Sequence, residues 1–239
     1  MGGRGSNFRY NKNSGEINTQ KIKFKPLLDD EIDSISEINN DYIDILQEKN
    51  HVICYSTDNY NHSIINPNLQ KINDIIKKFP GITNNLKNSE LKIRGATFED
   101  NQTQACFSYN ITDKDDMTIF LGKNVYTEDK KAVEQRAKLN QNSKWWSSSD
   151  DDELINKVIA HEYGHFVQKL IIDKKIKNNP NSKDMEVYQL INYANYEAAA
   201  CKRDILKIQK ERFNSTNNFI STYGSDNSRE FFAEVFANL

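Results

Sequence analysis

Apolar residues recur along this chain with two different periods, and the changes between them mark out its elements. Over residues 27–47, Ile32, Ile35, Ile38, Tyr42, Ile43 and Leu46 return every three or four positions, the period of an amphipathic helix. Packing against another helix is the ordinary role of such a face; a partner-binding or inhibitory segment is the sharper alternative. A second helix is predicted over residues 67–79, with Pro67 in its first turn and a stop before Pro80-Gly81. Residues 91–98, 104–111 and 117–121 read as strands, the last two joined as a hairpin across 112–116. The helical period then returns with Leu154, Val158, Ile159, Phe166, Val167 and Leu170, uninterrupted by proline until Pro180. Ser147-Ser148-Ser149 and the acids 150–153 make a start for it, because small polar residues cap free N–H groups and acids complement the positive end of the dipole. A last helix follows the cap-like residues 225–228, with Phe232, Val235 and Phe236 on its apolar side. Residues 1–20, rich in Gly, Asn and Ser, are expected to be disordered.

The chemistry is concentrated in His161-Glu162-Tyr163-Gly164-His165, which holds two of the four histidines of the chain. On a helix, residues i and i+4 share a face, so both imidazoles can reach one ion. Glu162 stands next to the first of them, within reach of a water on that ion. This is the H-E-x-x-H arrangement of zinc peptidases, meaningful only on a helix. Gly164 costs about 1 kcal/mol of helix propensity relative to alanine, which implies that something packs closely against the helix there. A catalytic zinc needs three protein ligands and a water. Residues 166–171 lack the glycine and third histidine of the metzincin pattern, so the third ligand must come from farther along. Near the C-terminus, Glu230 and Glu234 are spaced i, i+4 on a shared face. Taken alone, they read equally well as solvated acids on an amphipathic helix.

HEYGH, followed by a tyrosine seven residues before the first glutamate of an E-F-F-A-E helix, resembles the anthrax lethal factor-type zincins, or gluzincins. Secreted Pro-Pro endopeptidases and related phage and mobile-element domains belong to that group. The resemblance implies an α+β zincin-like metallopeptidase with a small mixed β-sheet, an HExxH active-site helix and a C-terminal helix carrying a glutamate ligand. It implies Glu230 as the third zinc ligand beside His161 and His165, Tyr223 as a hydroxyl assisting the transition state, and Glu234 as a carboxylate orienting a ligating imidazole. It is sharp in these two motifs and diffuse over roughly residues 65–239, with residues 1–20 a leader, 21–63 a helical N-terminal extension and 64–239 the metallopeptidase domain. The stretch from His165 to Glu230 is longer than the family pattern. Its residues 173–183, rich in Lys and Asn, read as an exposed insertion or a lengthened helical hairpin.

The function expected is zinc-dependent endopeptidase action on a protein or peptide. A zinc-bound water, its pKa lowered to about 7, gives its proton to Glu162 as general base, which then passes it to the leaving amine. Zinc, with Tyr223, stabilises the oxyanion. The alternative is a catalytically inactive zincin-fold structural or interaction protein of phage or mobile-element type.

Composition narrows the partners. A formal net charge of −2, with no basic stripe interleaved with aromatics, argues against nucleic acid. Lys174, Lys175 and Lys177 read as solvated surface. Cys54, Cys106 and Cys201 are odd in number and lack metal spacing, so buried free thiols are expected rather than a disulfide framework. No run of the sequence reads as a membrane span, and the polar first twenty residues carry no standard secretory signal. A cytoplasmic location in the producing cell, or export without a classical signal, is expected. Met1 to Ser6 formally match a myristoylation pattern but read as a flexible leader. Heavy use of Asn, Lys and Ile suits an AT-rich bacterial or phage genome. Trp145-Trp146 either line the cleft or anchor a loop, His51 and His62 stand apart from the constellation, and nothing in the pattern sets an oligomeric state.

Overall fold

The structure, a computed structural model, describes residues 8–10, 17–19, 24–26, 52–55, 62–79, 91–98, 103–109, 117–126, 157–213 and 227–239. They form an α+β arrangement around one mixed sheet. β1 (Phe8–Tyr10) pairs antiparallel with β2 (Ile17–Thr19) in a separate two-stranded ladder. The main sheet contains β3 (Phe24–Pro26), β4 (Val52–Tyr55), β5 (Leu91–Phe98), β6 (Ala105–Tyr109) and β7 (Met117–Gly122). β5 is central. On one side it pairs in parallel with β7, from Lys92↔Thr118 to Ala96↔Gly122. On its other side it takes β4 in parallel along its first half and β3 antiparallel along its second. β6 runs antiparallel to β7, from Ala105↔Leu121 to Tyr109↔Met117, and is an edge strand among the described residues.

The helices are α1 (His62–Lys78), the short α2 (Lys123–Tyr126), α3 (Val158–Asn178), α4 (Val187–Phe213) and α5 (Ser228–Ala237), with a 3-10 turn at Pro180–Asp184. Successive side chains of a strand point to opposite faces. Leu91, Ile93, Ala105, Phe107, Met117, Ile119 and Leu121 therefore share the face that meets the helices. There they pack with Ile64, Leu69, Ile72 and Ile76 of α1, Tyr163, Phe166 and Val167 of α3, and Phe236 of α5. Ala96, Phe98, Cys106 and Phe120 make a smaller cluster on the opposite face. α3 is buried on every side from Val158 to Lys169, as expected of a helix with neighbours all round.

Several sequence expectations change. Two short strands stand within the stretch expected to be a disordered leader. The predicted helix over 27–47 lies outside the described residues, but β3 and β4 flank it and join the main sheet, so residues 21–63 are not a purely helical extension. α1 begins five residues before Pro67, placing the proline inside the helix. That removes one i→i−4 hydrogen bond, while the added turn buries Ile64 and Ile65 at 1 % exposure each. The 91–98 strand and the β6–β7 pairing stand as predicted, although residues 110–116 between them lie outside the described ones.

α3 is described from Val158, and the serines and acids 147–153 expected to start it lie outside the described residues. Its cap residue Lys157 makes no side-chain cap hydrogen bond. The start of the helix is served instead from another element: the Ile159 N–H donates to Asn68 Oδ1 of α1 at 3.0 Å, and Asn68 Nδ2 donates to the Ile64 carbonyl at 2.8 Å. Asn68 is completely buried, so its amide satisfies a helix-end donor that water cannot reach. At its other end α3 runs through the Lys- and Asn-rich stretch and turns back into α4, a helical hairpin. Ile172 packs against Ala194 and Ala198, and Lys175 pairs with Glu197. Among the described residues, no helix is long and apolar enough to cross a membrane.

Candidate metal centre

His161 and His165 lie in the second and third turns of α3, one helical turn apart, with ring centroids separated by 4.9 Å and planes at 85°. α5 crosses this helix at Gly164. A Cβ on that glycine would stand 2.9 Å from Ala233 Cα, 3.0 Å from Phe236 Cβ and 3.2 Å from the Ala233 carbonyl oxygen. The missing side chain is what lets the two backbones approach, and the close partner expected at Gly164 is α5. Asn227 caps α5, its side chain accepting from the Arg229 N–H at 2.9 Å. Glu230 sits in the first turn beyond that cap, where the positive end of the helix favours a carboxylate.

The crossing brings Glu230 Oε2 to 3.1 Å from His161 Nε2 and 3.3 Å from His165 Nε2. All three side chains are at least nine-tenths buried, and one ligand atom from each lies within 4.8 Å of the others. Tetrahedral zinc, with nitrogen and oxygen ligands at about 2.0–2.2 Å, separates neighbouring ligand atoms by roughly 3.3–3.6 Å. The two histidine–carboxylate separations fall at or just under that edge. His165 Nε2 is buried and 3.3 Å from the carboxylate, yet makes no aligned hydrogen bond among the described residues, which leaves this ring nitrogen available to an ion. A two-histidine, one-glutamate set fits a metal ion.

Glu162 faces the same region from its own turn of α3. Its Oε2 accepts a hydrogen bond from the backbone N–H of Phe107 on β6 at 2.7 Å. Burial pushes its carboxyl above the usual range, and the charge of Glu230 adds to this, while the two imidazoles and the Phe107 amide pull it partly back. The upward direction suits a general base, whose proton affinity must approach that of the water it deprotonates. For His161, burial disfavours the proton, but the hydrogen bond it donates to Glu230 and the charges of Glu162, Glu230 and Glu234 outweigh it and raise the pKa. Burial opposes ionisation of Glu230 too, yet the imidazoles hold it well below the ordinary carboxylate range. Glu234, one turn after Glu230 and 2 % exposed, is near enough to act on His161 electrostatically.

These directions give a pH dependence with a definite sign. A histidine must lose its proton to hold a metal, so protons and metal compete at His161. Because its pKa is raised, competition begins above the ordinary histidine value of about 6.5. In the metal-free protein the linkage is opposite in sign. The raised His161 contributes stability that is full below the unfolded histidine pKa and is lost as pH rises through the folded one. The lowered Glu230 contributes stability present above about 4.3 and lost as pH falls through its folded value. Calorimetry with and without zinc is therefore expected to show a zinc-induced rise in Tm that shrinks steadily from pH 8 to pH 6. An increment constant over that range would mean that no histidine proton is displaced.

Structure thus brings together His161, His165 and Glu230, with Glu162 and Glu234 near enough to act on His161 electrostatically. Tyr223 and Trp145-Trp146 lie outside the described residues, as does His51; His62 begins α1, away from α3's motif in the sequence. Cys106 and Cys201 are free; burial raises both thiols, which suits inert packing rather than chemistry. Sequence reasoning missed two contributors. One is Arg229, next to Glu230, which donates to Tyr109 Oη at 2.9 Å and Asn195 Oδ1 at 3.0 Å and so ties α5 to the edge strand and to α4. An arginine beside a cap residue carries no signal of this. The other is the amide of Phe107, which no side-chain pattern can announce. Compared with protein-family models, curated proteins and solved structures, the chain matches none.

Proposed function

We propose that this chain is a zinc-dependent endopeptidase of the zincin type, akin to the lethal factor-type gluzincins. The observation that supports it most is the convergence of His161, His165 and Glu230, from helices far apart in sequence, with Glu162 near enough to feel the charge of all three. A donor set of two imidazoles and one carboxylate suits zinc in a catalytic role, because three protein ligands leave a position open. Bound there, zinc would supply a Lewis acid that polarises a peptide carbonyl and lowers the pKa of a water to about 7.

The protein's own groups do the rest. Glu162 accepts the proton of the water as its oxygen adds to the carbonyl carbon, then returns it to the departing nitrogen as the C–N bond breaks. Tyr223 is retained as the proposed donor to the developing oxyanion, and Glu234 as the carboxylate that orients a ligating imidazole. Among the described residues β6 is an edge strand and lies beside Glu162, which favours an extended peptide over a compact substrate, since an edge can pair with an added strand.

The deciding experiment is incubation of the zinc-loaded protein with a peptide library, beside a Glu162→Gln protein of equal zinc content. Cleavage by the first, reduced at least about 100-fold in the second, is expected for loss of a general base. Equal rates would remove Glu162 from the reaction, and no cleavage by either would favour a zinc-binding interaction protein.

A further inference from the structure

Register and hydrogen bonding together fix which way each backbone group of β6 points. The Gly122 N–H donates to the Gln104 carbonyl at 2.8 Å, and the ladder continues from Ala105↔Leu121 to Tyr109↔Met117. In an antiparallel pair, hydrogen-bonded and non-hydrogen-bonded positions alternate. Gln104, Cys106 and Ser108 are then the positions bonded to β7, while Ala105, Phe107 and Tyr109 turn their N–H and C=O groups to the outer edge. Phe107 is the middle of those three. Its outward N–H is the one that meets Glu162 Oε2, at 2.7 Å.

Side-chain packing holds this meeting in place. The Phe107 ring is 2 % exposed and lies edge-on to Phe166, with centroids 6.1 Å apart at 66°. Phe166 follows Glu162 by one helical turn, so the ring contact and the amide–carboxylate contact fix β6 on α3 at two points of one face. A hydrogen bond to a buried carboxylate is among the stronger kinds, and this donor is part of a sheet with no side-chain torsion of its own.

We propose that the backbone amide of Phe107 is a positioning group for Glu162. One carboxylate oxygen is held by the strand, leaving the other to exchange the proton. The catalytic part of this inference rests on the function proposed above; the hydrogen bond itself does not.

Amide hydrogen exchange on the zinc-loaded protein tests the hydrogen bond without reference to turnover. The Phe107 amide is expected to exchange about 10- to 100-fold faster in Glu162→Ala than in the unaltered protein, the loss of a charged hydrogen bond. Glu162→Gln keeps an acceptor oxygen and is expected to retain most of the protection, with zinc content equal in all three. An exchange rate unchanged in Glu162→Ala would overturn the assignment. A second variant replaces the residue 107 amide by an ester, using phenyllactic acid, which keeps the ring and deletes the N–H. It is expected to lower kcat about 10-fold or more with KM little changed, whereas the same replacement at Tyr109 is expected to change kcat little. Equal kcat losses from both esters would overturn the positioning role. If the unaltered protein cleaves no peptide, the function proposed above fails, while the exchange result still decides whether β6 holds Glu162.

Discussion

A Glu230→Gln protein is expected to stay folded and to lose zinc affinity by at least about 100-fold. Partners that merely orient a ligand already contribute 10- to 100-fold to metal affinity, so deleting a direct ligand should cost no less. Glutamine keeps the shape of the side chain and an oxygen that can still accept from His161 Nε2, which lies 3.1 Å from the carboxylate. What it removes is the negative charge between two buried imidazoles. The effect is readable in thermal unfolding. Zinc at about 100 times its Kd stabilises a folded protein by roughly 2.7 kcal/mol, whereas a site weakened 100-fold gains only about 0.4 kcal/mol at the same concentration. For a chain of this size the first figure is a rise of roughly 5–10 °C in Tm, and the second about 1 °C. Glu234→Gln is expected to weaken zinc nearer to 10-fold, since that residue acts on His161 without being among the three convergent ligand atoms. Zinc bound equally tightly by Glu230→Gln would place the third ligand elsewhere and dissolve the site.

The residues of that centre could be read from the sequence to the extent that chemistry and helical period coincide. His161 and His165 needed only their i, i+4 spacing, and Gly164 announced a close partner through its poor helix propensity. The identity of that partner is a tertiary fact: Ala233 and Phe236 look like any apolar face until α5 is laid across α3. Strands β5 and β7, of eight and six residues, are long enough for alternation to be visible. β3 and β4, of three and four residues, are not, and Pro26 argues against a strand by ordinary rules; it is admitted because β3 pairs on one side only among the described residues. Pro67 misled the reading of α1 because proline favours a first turn, whereas here the apolar pair Ile64-Ile65 carries the helix back past it. The support for α3 from Asn68, 91 residues earlier, and for Glu162 from the Phe107 amide, 55 residues earlier, both run through groups whose sequence context is ordinary. Polar groups that serve distant elements are invisible to any local pattern.

Gly164→Ala sets two magnitudes against each other, and their balance tests how the site is assembled. Alanine in place of glycine within a helix is worth about 1 kcal/mol of stability on propensity alone. Against it stands a methyl group 2.9 Å from Ala233 Cα and 3.2 Å from the Ala233 carbonyl oxygen. Carbon atoms pack best at about 3.5–4.0 Å, and these neighbours are backbone, so relief requires α5 as a whole to move outward by some tenths of an ångström. Overpacking of this kind costs about 1–3 kcal/mol, which at the middle of the range exceeds the propensity gain. The expected net change in the metal-free protein is thus a modest loss, up to about 2 kcal/mol. The larger consequence falls on the metal. Glu230 sits one turn before Ala233 on the helix being displaced, so its carboxylate shifts relative to imidazoles that remain fixed on α3. Zinc affinity is expected to fall at least about 10-fold, the scale on which misplacing a ligand's supports acts. Gly164→Val adds branching against the same backbone and is expected to be worse in both respects. Zinc titration and calorimetry on the two variants separate the contributions. An alanine variant that is more stable than the unaltered protein and binds zinc as tightly would mean that α5 does not press on α3 at this point, and the close crossing that brings Glu230 to the histidines would have to be abandoned.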